Sequence, residues 1–266
     1  IDWRDRDENP EPDGIERGHY AALAHPYTIR NGPLRTIREL LCVRGVTPEL
    51  FYGEDTNVNG RLDPNENDGD ASEPPDNADS RLDRGWFAYL TPYSFERNVD
   101  ALGRDRLNLK SADASTLASR LRLEDWAAQS IVNRRGQSEF RNIIDLLSVP
   151  LDPAVNRGST GDDLQSRGDD EKNQPVTKSI LRNIIDELTL SDDKVLMGRV
   201  NINTAPLAVL KTLMNDEVAD AVVKYRQSGN VFSSIVALLD ISGMTNDRFA
   251  ALENSVTVRS NVFRIL

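Results

Sequence analysis

A repeat constrains this chain more than any other feature. Arg106-Leu-Asn108-Leu-Lys-Ser-Ala112 returns as Arg199-Val-Asn201-Ile-Asn-Thr-Ala205. The residues after each start also match: Leu117 to Leu121 with Val209 to Leu213, Ala127, Ala128, Ile131 and Val132 with Ala219, Ala221, Val222 and Val223. Then come Arg134-Arg-Gly136 and Phe140 against Arg226, Gly229 and Phe232, and the runs Ile143 to Leu147 and Ile235 to Leu239. Apolar residues at helical spacing, broken by turns, describe two small helical units. A Leu-Thr pair, Leu90-Thr91 or Leu188-Thr189, precedes each copy. In the second, Thr204 is placed to cap a helix with Pro206 in its first turn. Phe232 is expected to fold back over the helix pair.

Charge makes the second constraint. The 266 residues carry 32 Lys and Arg against 43 Asp and Glu, a net charge of -11. Ten of the acids lie between Glu54 and Asp83, opposed only by Arg61 and Arg81. Such a balance is wrong for wrapping duplex DNA. The order inside the segment is more specific than its charge. Asp55, Asn57, Asn59, Gly60, Arg61, Asp63 and Glu66 fall at positions 1, 3, 5, 6, 7, 9 and 12 of a twelve-residue calcium loop. Oxygens at 1, 3 and 5 fill one hemisphere of a hard cation, glycine at 6 turns the chain, and Arg61 needs to offer only its carbonyl. Glu66 closes the sphere with two oxygens. The expected ligands of calcium are therefore Asp55, Asn57, Asn59, Arg61, Asp63 and Glu66. Flanking amphipathic helices are missing, so the loop is not a helix-loop-helix sensor. Asp68, Asp70, Asp76 and Asp79 are further acids whose spacing does not decide whether they make a second site.

Several classes are excluded by what is scarce. One cysteine, Cys42, rules out an intrachain disulfide, and two histidines, His19 and His25, argue against a histidine metal site or triad. No nucleophile–base pair, phosphate loop or dinucleotide fingerprint occurs, so an enzyme with a small-molecule substrate is not expected. No apolar run of about 18 residues spans a membrane. The chain starts at Ile1 rather than Met and looks cut from something longer, so an anchor or signal ahead of it would not be visible.

The second repeat, Val200 to Val258, resembles helix-hairpin-helix domains of the competence-protein type. Its first hairpin reads Leu213-Met-Asn-Asp216-Glu217, with two acids where DNA-binding members carry glycine. Protein packing is favoured over nucleic acid there. At the other end, the chain opens with Asp2-Trp3, Asp5, Pro10, Gly14, Glu16 and Tyr20. Tyr27 with Asn31-Gly32-Pro33 comes next, then a helix from Leu34 to Val43 stopped by Gly45. In this order, together with the Val-Asn-Ile-Asn-Thr-Ala unit, these residues resemble the type II secretion minor pseudopilin K family.

The resemblance implies an α+β chain: a pilin-like α/β domain with an antiparallel sheet and an inserted all-α domain of two SAM-like or helix-hairpin-helix units. The expected limits are 1-100 for the pseudopilin domain with its acidic loop 54-83, and 101-198 for the first helical unit with a polar loop 151-178. The second unit covers 199-254, and a strand over 255-266 returns to the pilin sheet. It also implies a non-enzymatic part of the secretion pseudopilus, a tip minor pseudopilin whose partners are other minor pseudopilins. The domain would be periplasmic and anchored to the inner membrane of a bacterial cell envelope. The alternative is a helix-hairpin-helix DNA-binding envelope protein of the DNA-uptake type.

Overall fold

The computed structural model describes residues 2–150 and 175–262. The expected polar loop therefore lies almost wholly outside the described residues. The chain divides between Tyr93 and Ser94 into two compact units. Helices and short strands make it α+β. Among the described residues no helix is long and apolar enough to cross a membrane.

The first unit holds helices α1 (Arg17–Ala21) and α2 (Pro48–Tyr52). Its N-terminal core is small and aromatic. Trp3 stands edge-on to Tyr20 at 5.3 Å, and Tyr27 tilts against Tyr20 at the same distance. Ile29 joins them, with Ile15, Leu34 and Val43 around. The Tyr27 hydroxyl donates to the Cys42 carbonyl at 2.6 Å, which ties the lead-in to the turn before α2. The expected helix over Leu34–Val43 is shorter, a 3-10 turn at Ile37–Cys42. The Glu39 carboxylate accepts the Arg35 and Thr36 N–H groups and so caps the start of the turn, while Val43 at its end is already extended.

The second unit contains the repeat. Strand β1 (Phe95–Arg97) leads into β2 (Leu107–Asn108), followed by α3 (Ala114–Leu121) and α4 (Asp125–Gln137). A 3-10 turn at Ile143–Ser148, α5 (Lys178–Ile184) and β3 (Leu188–Thr189) complete the first copy. After β4 (Val195–Met197), which pairs antiparallel with β1, comes the second copy. It runs through β5 (Val200–Asn201), α6 (Leu207–Leu213), α7 (Asp216–Gln227), a 3-10 turn at Ile235–Asp240, α8 (Asn246–Leu252) and β6 (Val256–Thr257).

The two copies agree down to single hydrogen bonds. Each closes on itself by a parallel pair, β2 with β3 and β5 with β6. Leu109 N–H donates to Thr189 O, and Ile202 N–H to Thr257 O, both at 2.9 Å. Arg135 clamps the Leu109 and Ala112 carbonyls, and Arg226 the Ile202 and Ala205 carbonyls. Thr177 caps α5 as Thr245 caps α8. By sequence both Arg134 and Arg135 align with Arg226; Arg134 instead binds the Ser138 carbonyl. Phe232, stacked on Tyr225 at 4.6 Å, is pinned through both its N–H and its carbonyl by Asn203.

Four sequence expectations change here. Leu188-Thr189 ends the first copy rather than introducing the second. Val256–Thr257, expected to return to a pilin sheet, pairs with β5 inside the second copy. Among the described residues every sheet has two strands, so no layered antiparallel sheet is present in them. Thr204 lies in the turn before α6, whose first residue is Leu207.

One ionic network runs through this unit. Buried Glu96 meets Arg106 at 2.8 Å and Arg199 at 3.3 Å, and Arg106 and Arg259 both reach Asp186. Nearby, Glu253 of the second copy accepts the Ile143 and Ile144 N–H groups of the first, capping its 3-10 turn. Burial pushes the Glu253 carboxyl up to about 7, against the opposing pull of those two donors. An acid raised above its ordinary 4.5 adds stability in full below that value and loses it as pH climbs through 7. We expect this one group to remove roughly 3 kcal/mol between pH 4.5 and 8. Thermal melts of the wild type and of Glu253→Gln across that range should differ in slope by the loss of one titrating proton. Equal slopes would place the titration elsewhere.

Candidate metal centre

The acidic segment leaves and re-enters the first unit at one point. Thr47 and Pro48 start α2, with the Thr47 hydroxyl accepting the Leu50 N–H. Phe51, fully buried, packs edge-on against Tyr52 and Phe87. Gly53 then stops the helix at φ 66 and ψ -140, a region open essentially to glycine alone. Across from it the chain returns: Glu54 N–H donates to Asp83 O at 2.8 Å and Gly85 N–H to Tyr52 O at 2.9 Å. The backbones cross so closely that a β-carbon on Gly53 would stand 2.2 Å from Asp83 O, and one on Gly85 2.4 Å from Gly53 N. Everything from Glu54 to Asp83 is thus a closed excursion from an aromatic base.

Inside it, the expected calcium ligands are engaged in hydrogen bonds with one another and with the backbone of the turn. Both Asp55 carboxylate oxygens accept the Gly60 N–H, at 3.1 and 3.3 Å. Asn57 Oδ1 accepts the Asn59 N–H, and Asn59 Oδ1 the Arg61 N–H. The side-chain amides of Asn57 and Asn59 both donate to Asp63 Oδ2 at 2.7 Å. Glu66, 1% exposed, accepts the Asp63 N–H on Oε2 at 3.0 Å. Its Oε1 is buried with no hydrogen-bond partner. The turn needs Gly60 at φ 69, and Arg84 fixes it by donating to the Gly60 carbonyl.

This is a donor set that fits a hard cation. The buried, unpartnered Glu66 Oε1 carries a large desolvation cost unless a cation or proton answers it, while the Asp55, Asp63 and Glu66 carboxylates are not drawn within 4.8 Å of one another. The Arg61 side chain is exposed, which leaves its carbonyl as the group for position 7. Of the other acids, Asp76 is spent on the turn: its oxygens accept the Asp68, Gly69 and Ala78 N–H groups, and these donors hold its carboxyl below the usual range despite desolvation. Asp68 binds Ser72. At the stem, Glu54 Oε2 accepts the Asp83 N–H at 2.7 Å, a contact across the excursion that local spacing does not reveal.

A second group of acids lies near the N-terminus. One oxygen each from Asp2, Asp5 and Glu16 falls within 4.8 Å of the others. Desolvation, then repulsion from Asp2 and Asp5, holds the Glu16 carboxyl above its usual range.

In the second repeat the acids of the first hairpin occupy the ground a phosphate would take. Asp216 pairs with Lys211 at 3.0 Å, and a β-carbon on Gly243, in the second hairpin, would meet the Glu217 carboxyl carbon at 2.9 Å. An anion there faces an anion already in place.

Residues 1–52 match the family model described as Type II secretion system (T2SS), protein K. Residues 196–257 match the model described as Helix-hairpin-helix motif. No curated protein matches the chain. No solved structure matches it.

Proposed function

We propose, from the premise that residues 1–52 are type II secretion system protein K sequence, that this chain serves as a tip minor pseudopilin. It is a structural component of the secretion pseudopilus, a bacterial cell-envelope assembly, and works by binding other minor pseudopilins rather than by catalysis. The single observation carrying this reading is the match that ends at Tyr52, one residue before the acidic excursion leaves α2. Exposed Trp86, Tyr89, Leu90 and Tyr93, coming directly after that excursion, offer the aromatic contacts that protein interfaces favour. Calcium held by Asp55, Asn57, Asn59, the Arg61 carbonyl, Asp63 and Glu66 keeps the most negative part of the chain in one shape. Without a cation its acids repel one another. Anchoring to the inner membrane through an N-terminal helix belongs to the same proposal.

The test is assembly. Co-expressed with the minor pseudopilins of its own cell, the chain is expected to co-elute with them as one complex. Deleting its gene is expected to stop export of secreted proteins. A chain that stays alone, in a strain that still secretes, would overturn the reading. The helix-hairpin-helix unit makes DNA binding the competing outcome. A gel shift with duplex DNA at low salt is expected to show no complex, given Asp216 and Glu217 at the hairpin.

A further inference from the structure

A surface cleft of about 220 Å³ opens in the second unit at the end of β1. Two stretches of chain form its walls. One is β1 with the tight turn that follows it. Asp100 builds that turn: its carboxylate accepts the Leu102 and Arg104 N–H groups, both at 2.9 Å, and Gly103, at φ 79, donates back to the Asp100 carbonyl. The other wall is the chain leaving β6. Arg259 reaches across to the Val99 carbonyl and to Asp186, whose carboxylate also accepts the Ala101 N–H. Asn261 Oδ1 accepts the Arg97 N–H at 3.1 Å, which ties the two walls together.

Ion pairs hold both walls, and they do not balance. Of the acids that line the cleft, Glu96 is held by Arg106 and Arg199, and Asp100 by Arg104 and Arg120. Arg104 and Arg120 also share Glu187, and Arg106 and Arg259 share Asp186. With Arg97, which lines the cleft too, six guanidinium groups stand against four carboxylates, in a chain whose net charge is -11. Glu253, acting on Arg199 and titrating at about 7, offsets at most one of the two excess charges. The excess is free at Arg97. Among the described residues its guanidinium has no hydrogen-bond or ion-pair partner, and neither has the side-chain nitrogen of Asn261. Apolar side chains stand beside it. Val195, opposite Arg97 in the β1–β4 pairing, is 42% exposed, Met197 66%, and Leu102 in the turn 77%.

These features specify a ligand. A guanidinium fork matches the plane of a carboxylate. An excess of one to two charges suits a monoanion, and the Glu96 and Asp100 carboxylates in the walls oppose a dianion such as a phosphate monoester. The volume admits the end of one side chain rather than a drug-sized molecule. Leu102, Val195 and Met197 gain contacts only from apolar groups carried alongside that carboxylate, as at the core of a protein interface.

We propose that this cleft is a docking point for an acidic side chain, flanked by apolar residues, on a partner protein. Arg97 receives the carboxylate, the Asn261 amide donates to it, and Leu102, Val195 and Met197 cover its apolar neighbours. The partner's identity as another minor pseudopilin rests on the proposed function; the chemistry of the cleft does not.

The peptide Ac-Leu-Glu-Leu-amide tests the cleft with no partner present. Titrated into the isotope-labelled full chain, it is expected to shift the NMR signals of the Asn261 side-chain amide and of residues 101–103, and to bind more weakly as salt is raised. Ac-Leu-Gln-Leu-amide and acetate are each expected to bind about tenfold more weakly, and so is the glutamate peptide to Arg97→Ala. Arg6→Ala, at an exposed arginine of the first unit, is expected to bind like the wild type. Equal binding of the glutamine peptide, or full affinity in Arg97→Ala, overturns carboxylate recognition. Acetate that binds as tightly as the peptide overturns the docking role and makes the cleft a free-ion site. The comparison of peptides on the wild type needs no variant to fold. In the co-elution assay, Arg97→Glu is expected to lower recovery of the complex about tenfold. Equal recovery of wild type and Arg97→Glu overturns the docking point and leaves the proposed function standing. A wild type that elutes alone overturns the proposed function, and the peptide titration still decides the cleft.

Discussion

Gly53→Ala is expected to destabilise the first unit by about 3 kcal/mol and to abolish the proposed calcium binding in the same step. Two costs combine. Alanine at φ 66 and ψ -140 is strained by roughly 1–3 kcal/mol. Its methyl group would also stand 2.2 Å from Asp83 O and 2.8 Å from Arg84 C, backbone atoms that cannot swing away. Relief requires the stems of the excursion to part. That breaks the Glu54–Asp83 and Gly85–Tyr52 hydrogen bonds and moves Glu54 off the Asp83 N–H. Denaturant melts and calcium titration of the same sample read both effects. Gly18, in α1 with open space beside it, is the control: alanine there is expected to be neutral or stabilising by up to about 1 kcal/mol. Equal behaviour of the two variants would show that the crossing does not hold the segment.

In the second unit the largest single-residue effect is expected at Arg226. Its Nη1 donates to two carbonyls, Ile202 O at 3.0 Å and Ala205 O at 2.8 Å, in the turn between β5 and α6. Desolvation already lowers the pKa of this guanidinium, which still holds both bonds. Arg226→Ala leaves those carbonyls without their donor, at a cost of roughly 3 kcal/mol. Arg135→Ala should behave alike in the first copy, because its clamp on Leu109 and Ala112 is the same. Arg182, in an exposed pair with Asp240, should cost less than about 1 kcal/mol when replaced. Chemical denaturation of the three variants separates the clamp from ordinary surface charge. A small effect at Arg226 would mean that the turn is held by packing alone.

How much of the fold could be read from residues alone depends on the range of each interaction. The helical repeats were legible because capping and apolar spacing act within a few residues. Asn201, Arg226 and Phe232 could be picked out, though not the bonds that join them. The parallel strand pairs were not legible. Two-residue strands give no alternation, and β2 meets β3 across the whole first copy, so Leu188-Thr189 looked like a beginning when it is an end. The tight turns of the Asp55–Glu66 segment were legible for their fixed local spacing. The protein K resemblance agrees with the match over residues 1–52, and it could not foretell where Val256–Thr257 pairs.

The crossing at Gly53 and Gly85 has a bearing on ancestry. A thirty-residue excursion that starts and finishes at adjacent backbone atoms makes little demand on its host. Gene rearrangement at that junction could add it whole or delete it whole, and Phe51, Tyr52 and Phe87 would keep their stacking either way. The acidic part of the molecule is thus free to be gained and lost between lineages while the body that carries it evolves on its own schedule.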